Sequence, residues 1–387
     1  MLEQRLQEFF GVPAVALVTA GRWGLFLLLR ALRLKPGDEV LLQAYTCVSV
    51  PGPVLWAGLK PRYVDIHPTT LTMDPQDLTR KLTPRSRVVI IQHTFGTPAH
   101  MTELLETARQ HNLVVIEDCA HTIGARTQGK LVGTLGDAAV VSFGRDKALS
   151  SVFGGALLVS RPERFQGLRE ELSSLRDAPR TWILQQLLHP VLFVFFIRPL
   201  YFVWGVGKVT LVLLQRLGVL SKAIVGREKQ GGTPTVPLAR MPEALANLAV
   251  FQWSRLPVFN ERRRELARTY TELLSNAKAV LPTAPPGSDP VALRYTIQVP
   301  NANDIRTQAR RQRMLLGDWY EVIAPKDTDM RAVGYTRGMC PVAEGIAERS
   351  LNLPTNPTMN TEDATRVAAA VASLLVPPSS PPSQEGG

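Results

Sequence analysis

The chain has 387 residues, enough for a large and a small domain around a sizeable core. Its 44 lysines and arginines exceed its 33 aspartates and glutamates by a net +11, which favours anionic partners. No helix-turn-helix or stacking platform accompanies that charge, so nucleic acid is not an expected partner. Residues 1–11 include Glu3 and Glu8 and lack an apolar run, so no signal peptide is expected. The cysteines Cys47, Cys119 and Cys340 have no metal-ligand spacing and cannot all pair. No metal is expected, and a reducing cytoplasm is the expected location.

In chain order, Val15–Thr19 predicts a strand, the small residues Ala20-Gly21 a turn, and Leu25–Leu32 an apolar helix. A small-residue turn that opens a helix presents backbone N–H groups to an anion. Lys35–Glu39 reads as a turn, and Val40–Leu42 as a strand leading to Tyr45-Thr46-Cys47. Arg62–Ile66 and Arg87–Ile91 are further strands, separated by helical segments such as Met101–His111, where Leu104, Leu105 and Ala108 recur at helical spacing. Strands that alternate with helices predict an α/β fold with a parallel sheet.

The chemistry concentrates between Val114 and Leu158. The apolar run Val114–Ile116 ends in Glu117-Asp118, and a second run, Ala138–Phe143, leads to Lys147. Two such strands deliver a carboxylate and an amine to one rim of a sheet, where open α/β sheets bind ligands. A carboxylate for a pyridinium nitrogen and a lysine for an imine are the pair that pyridoxal phosphate (PLP) requires.

EDCAHTIGA, then GTLGDAAVVSF, then Lys147, then GGALL resembles the signature of the DegT/StrS family of PLP-dependent sugar aminotransferases. The resemblance implies fold type I: a large domain with a mostly parallel seven-stranded sheet flanked by helices, and a smaller C-terminal α+β domain. It places Asp118 at the ring nitrogen, His121 against the ring or its phenolic oxygen, Ser142 on the phosphate and Lys147 at the imine. Lysine rather than histidine at 147 implies transamination rather than dehydration. The family's phosphate motif, S-G-T-x-A-L, corresponds here to Ala20-Gly21-Arg22-Trp23-Gly24-Leu25. Its hydroxyls are absent, and Arg22 is the candidate charged donor in their place. The usual aromatic after the threonine is Cys47 here, which leaves Tyr45 as the nearest ring. His93, before the loop Thr94–Pro98, reads as structural.

Met241–Arg268 is helical in pattern, and with Asn260-Glu261-Arg262-Arg263-Arg264 it resembles the family's helix between the large and small domains. Just before it, Arg240 is the candidate for contact with a partner subunit's cofactor. Thr361-Glu362-Asp363 opens a final helix over 360–375. The expected domains are 1–250 and 251–376, followed by a disordered tail, 377–387, rich in Pro, Ser and Gly.

One segment stands outside this pattern. Residues 182–220 are strongly apolar, yet Pro, Gly and scattered charges break them before the roughly 20 residues that a span needs. They read as an interfacial membrane anchor with Arg198, Lys208, Arg216, Lys222 and Arg227 at its flanks. A buried subunit interface and a hydrophobic substrate tunnel are the alternative readings.

The expected activity is transfer of an amino group from glutamate or glutamine to a nucleotide- or lipid-linked keto-sugar, in surface polysaccharide or secondary-metabolite biosynthesis. The resemblance implies a homodimer, in the cytoplasm or at the inner face of the membrane. The alternative is a non-catalytic sensor or membrane-associated scaffold on the same fold.

Overall fold

The computed structural model describes residues 1–201, 203 and 205–375. The expected tail, 377–387, lies outside them. The central sheet contains β1 (Ala14–Val18), β2 (Glu39–Gln43), β3 (Lys60–Val64), β4 (Ser86–Gln92), β5 (Val114–Asp118), β6 (Ala138–Ser142) and β7 (Gly155–Val159). From the β3 edge the order is β3-β2-β4-β5-β6-β7-β1. The first five strands run parallel, and β7 is antiparallel to both its neighbours. The sheet has nine strands rather than seven, because two dipeptides, Ala239-Arg240 and Arg176-Asp177, extend it beyond β1. They cover an edge that would otherwise expose unpaired backbone groups.

The strands are apolar on both faces because both are covered. Leu41, Val89, Ile91 and Val115 pack on one side with Leu104 and Ala108 of the helix over 101–110. Val40, Leu42, Val88, Ile90 and Ile116 point the other way into the main core, with α1 (Gly21–Ala31).

The insertion forms a helical hairpin of α2 (Arg180–Leu192), continued by a π-turn to Ile197, and α3 (Val206–Arg216). The predicted single helix over 241–268 is two: α4 (Glu243–Trp253) and α5 (Leu256–Leu274). Pro257 explains the break. Its ring suits a first helical turn and disrupts an interior one.

Helix α5 joins two cores. Leu256 belongs to the main cluster. Leu266, Tyr270 and Leu274 belong to a second cluster around the antiparallel pair β8 (Arg294–Gln298) and β9 (Ser350–Pro354), with the terminal helix Thr361–Leu375.

Backbones approach closely where β7 begins. A Cβ on Gly155 would lie 2.4 Å from the Gly21 nitrogen and 2.7 Å from the Ala20 carbonyl carbon. Gly155→Ala should therefore lower the unfolding free energy by about 1–3 kcal/mol in urea melts. Unchanged stability would show that the start of α1 can move away freely.

Candidate active site

The carboxyl ends of β4, β5 and β6 surround a cavity of about 360 Å³. Asp118, His121, Ser142 and Lys147 line it, and Ala20, Gly21 and Arg22 bring the start of α1 to its wall. Another cavity, of about 460 Å³ and lined by Thr70, Arg264 and Arg268, contains no lysine. Chemistry rather than volume therefore selects the site.

Asp118 is the last residue of β5 and is 5% exposed. Its Oδ1 accepts the Ala120 N–H at 2.9 Å. Burial lifts its carboxyl above the usual carboxylate range, while that hydrogen bond and the charges of Lys147 and His93 pull it down. A buried carboxylate short of compensation suits a cationic ring nitrogen. Lys147 sits half-buried in the turn after β6, its ammonium 5.7 Å from the Trp319 ring centre.

His121 is 3% exposed. Its Nδ1 accepts the Phe95 N–H at 3.2 Å, and its Nε2 lies 2.6 Å from the Tyr320 hydroxyl. Burial, reinforced by Lys147 and Arg294, holds the imidazole well below its ordinary value. The ring is therefore neutral at pH 7. With Nδ1 accepting, its proton sits on Nε2 and points at the Tyr320 oxygen. Burial also raises the Tyr320 hydroxyl well above its usual range, so it keeps a proton to donate onward. His121, Phe95 and Tyr320 stack on one another with centroids 5.0–5.5 Å apart.

Two expectations need correction. Arg22 lines the cavity, but its guanidinium is ion-paired with buried Glu228 and donates to the Ala223 carbonyl at 2.7 Å. It is committed to the segment after the hairpin rather than available to replace the missing hydroxyls. Tyr45 is wholly buried and outside the cavity lining. Its hydroxyl is 2.6 Å from Ser350 Oγ and accepts the Tyr320 N–H, and burial pushes it up to about 12. Arg240, expected at a partner subunit's cofactor, lies outside its own chain's cavity and pairs with Asp177 at 3.2 Å.

Sequence reasoning missed Trp319, Tyr320 and Arg294, which close the cavity from the C-terminal region. The Arg294 guanidinium lies 4.5 Å from the Trp319 ring centre and 3.7 Å from Asp146. Only the adjacent aromatics of Gly317-Asp318-Trp319-Tyr320 hinted at them. Asp146 Oδ2 and the Nε atoms of Arg145 and Arg294 are buried without hydrogen-bond partners. The two arginine donors suit an acceptor on a guest, and the Asp146 oxygen suits a donor.

His93, Glu117 and Cys119 bring ligand-type atoms within 4.8 Å of one another. The Glu117 carboxylate already accepts the Gly133, Leu135 and Gly136 N–H groups and meets His93 Nε2 at 3.0 Å. His93 Nδ1 accepts the Ala99 N–H. These lone pairs are spent on the fold, which gives His93 a structural role.

The model of the DegT/DnrJ/EryC1/StrS aminotransferase family matches residues 1–177 and 223–372. A UDP-N-acetyl-3-dehydro-alpha-D-glucosamine 3-aminotransferase of Acidithiobacillus ferrooxidans is 28% identical, over 97% of this chain and 88% of its own. A dTDP-3-amino-3,4,6-trideoxy-alpha-D-glucose transaminase of Streptomyces venezuelae is 27% identical, over 92% and 81%. Among solved structures, DesV of S. venezuelae superposes with a TM-score of 0.75 at 26% identity, covering 97% of this chain and 88% of DesV.

The His121 assignment has a pH signature. An unfolded histidine protonates near pH 6.5, whereas His121 resists protonation in the fold. Its contribution to stability is intact above about pH 6.5 and falls on acidification, by up to about 1.4 kcal/mol per pH unit. His121→Gln should flatten the stability of the cofactor-free protein between about pH 6.5 and 5.5 in urea melts. An unchanged slope would mean that the folded imidazole is already charged.

Proposed function

Because the chain belongs to the DegT/DnrJ/EryC1/StrS aminotransferase family, we propose that it moves an amino group from glutamate or glutamine to a keto-sugar carried on a nucleotide or a lipid. It is a PLP-dependent aminotransferase. When bound, the cofactor supplies an electron-withdrawing ring that weakens a C–H bond beside the transferred nitrogen.

The residues fit that group. Asp118 keeps the ring nitrogen protonated, and a ring cation there would relieve its uncompensated burial. The start of α1 at Ala20-Gly21, with the Ser142 hydroxyl, receives the phosphate. His121, which stacks with Tyr320 at the cavity wall, would give the ring the flat surface that Tyr45 does not. Lys147 Nζ holds the cofactor covalently and, when free, takes and returns a proton. Arg294 is the mouth cation suited to the donor's carboxylate. The chain acts as a cytoplasmic homodimer in which Arg240 approaches the partner's cofactor phosphate. The relatives' nucleotide-sugar activities support the substrate class and a role in surface polysaccharide or secondary-metabolite biosynthesis.

One observation carries this reading: Asp118 and Lys147 line a single cavity, and the lysine's charge is felt at the carboxylate. It also counts against a non-catalytic scaffold, which has no need of the pair, while conversion by L-glutamate separates an enzyme from a sensor that only binds the cofactor.

Protein loaded with PLP should show the visible absorbance of a lysine-bound cofactor, and L-glutamate should convert it to the pyridoxamine form. Lys147→Ala should abolish that band and lower turnover by about 10²–10⁴-fold or more. An unchanged spectrum in that variant would defeat the assignment. Asp118→Asn should retain the band and lose most turnover, because the ring nitrogen loses its anionic partner. Wild-type kcat in Asp118→Asn would remove Asp118 from the ring.

A further inference from the structure

The hairpin over 180–220 falls within residues 178–222, which the family model leaves unmatched between two matched blocks. Fifteen of the twenty-four large apolar side chains exposed among the described residues lie on it. Phe195 is 70% exposed, Val209 and Leu217 68%, Leu184 58% and Phe196 56%. Exposed apolar area of this density marks an interaction surface.

The hairpin is nonetheless well built. Ile197 is fully buried, and a Cβ on Gly207 would sit 2.5 Å from the Ile197 carbonyl oxygen, so backbones cross tightly at its tip. At its root, Ser221 Oγ donates to Gln186 Oε1 at 2.6 Å, and Gln185 Nε2 donates to the Gly218 carbonyl at 2.6 Å. The outward apolar face is therefore held in place and is not a frayed end.

Charge identifies what covers it. Residues 178–227 contain no Asp or Glu. They carry Arg180, Arg198, Lys208, Arg216, Lys222 and Arg227, all exposed. A second copy of the same face would set these cations against one another. An anionic surface would neutralise them while taking up the apolar side chains. The apolar stretch Arg180–Ile197 has 18 residues and a mean hydropathy of 1.3, with 11% of it buried. At about 1.5 Å per residue it reaches about 27 Å, just under a bilayer core of about 30 Å. Gln185, Gln186 and His189 interrupt it, and Arg198 follows at once. That composition favours lying in the headgroup–acyl boundary over crossing it.

We propose that this hairpin docks the protein onto anionic phospholipid bilayers, with Phe195, Phe196 and Val209 entering the acyl boundary and Arg198 and Lys208 meeting the headgroups. The docked element is continuous with the cavity wall. Ala223 and Ile224, just past the hairpin, line the cavity, and Arg145 in the Lys147 turn donates to the Ser221 carbonyl at 2.9 Å. The catalytic cavity is thereby tied to the root of the lipid-binding element.

The test is flotation of the purified full-length chain with vesicles of phosphatidylcholine alone or mixed with phosphatidylglycerol. The intact chain should float with the mixed vesicles and much less with the neutral ones. Phe195→Glu with Phe196→Glu should cut the bound fraction by about tenfold or more, and Arg198→Glu with Lys208→Glu by several-fold on the anionic vesicles alone. Both pairs are exposed, and the far-UV circular dichroism of each variant serves as the folding control. The proposal fails if the intact chain floats with neither composition, or if the Phe195/Phe196 pair floats like the intact chain. It also fails if sedimentation shows a self-association that this pair dissolves while vesicle binding is absent. None of these outcomes changes the spectral test of the aminotransferase reading, so the two stand or fall separately.

Discussion

A carboxylate with no exposed surface, that of Glu117, sets the geometry on which the site depends. It sits one residue before Asp118 and points to the opposite face of β5. There it receives three backbone N–H groups from the loop over 133–136 and contacts His93 after β4. That loop leads directly into β6 and so to Lys147. A carboxyl group buried this deeply is tolerable only when its oxygens find partners, and here the turn geometry supplies them. Glu117 thus ties β4, β5 and the entry to β6 together, and the spacing between the acid and the amine follows. The adjacent acids divide the work: one is consumed by the fold and the other faces the cavity.

The same division explains how much could be read from the chain. The strand ends bearing Asp118 and Ser142 were legible because fully buried parallel strands leave near-continuous apolar runs, and a polar residue closing such a run stands out. The start of α1 was legible from its small residues. Trp319 and Tyr320 were not, because they reach the cavity from a distant irregular segment where no periodicity operates, and Arg294 was not, because it opens β8, a strand of the second core far along the chain. Arg22 was misjudged for a related reason. Its partner Glu228 lies 206 positions away, and local sequence does not reveal which anion a cation will meet. Met241–Arg268 kept a helical pattern across a real break, because Pro257 is tolerated at the start of a new helix as readily as it disrupts an old one.

Helix α5 is where the two cores and the cavity meet mechanically. Buried Asn260 donates to the Ile123 carbonyl at 2.7 Å, two residues beyond His121. Buried Arg263 donates to the Ala148 carbonyl at 3.0 Å, immediately after Lys147, and to Asn260 Oδ1. Burial draws the Arg263 guanidinium down to about 10, a cost offset by two fixed acceptors. The helix therefore clamps the backbone behind both His121 and Lys147 while its other end is packed in the second core. Movement of that core would be felt at both cavity-lining loops together.

The hairpin root has a consequence for anyone who would trim this chain to the outline of its relatives. Arg145 is half-buried, stacked 5.1 Å from the Phe153 ring centre, and its guanidinium spends its hydrogen bonds on Ser221 and Gln186. Both acceptors belong to the unmatched segment. Excision would strand this cation two residues from Lys147, with Asp146 as a compensating charge. The graft has become part of the electrostatic insulation of the active centre, and a shortened enzyme would need a neutral residue at 145 to be whole again.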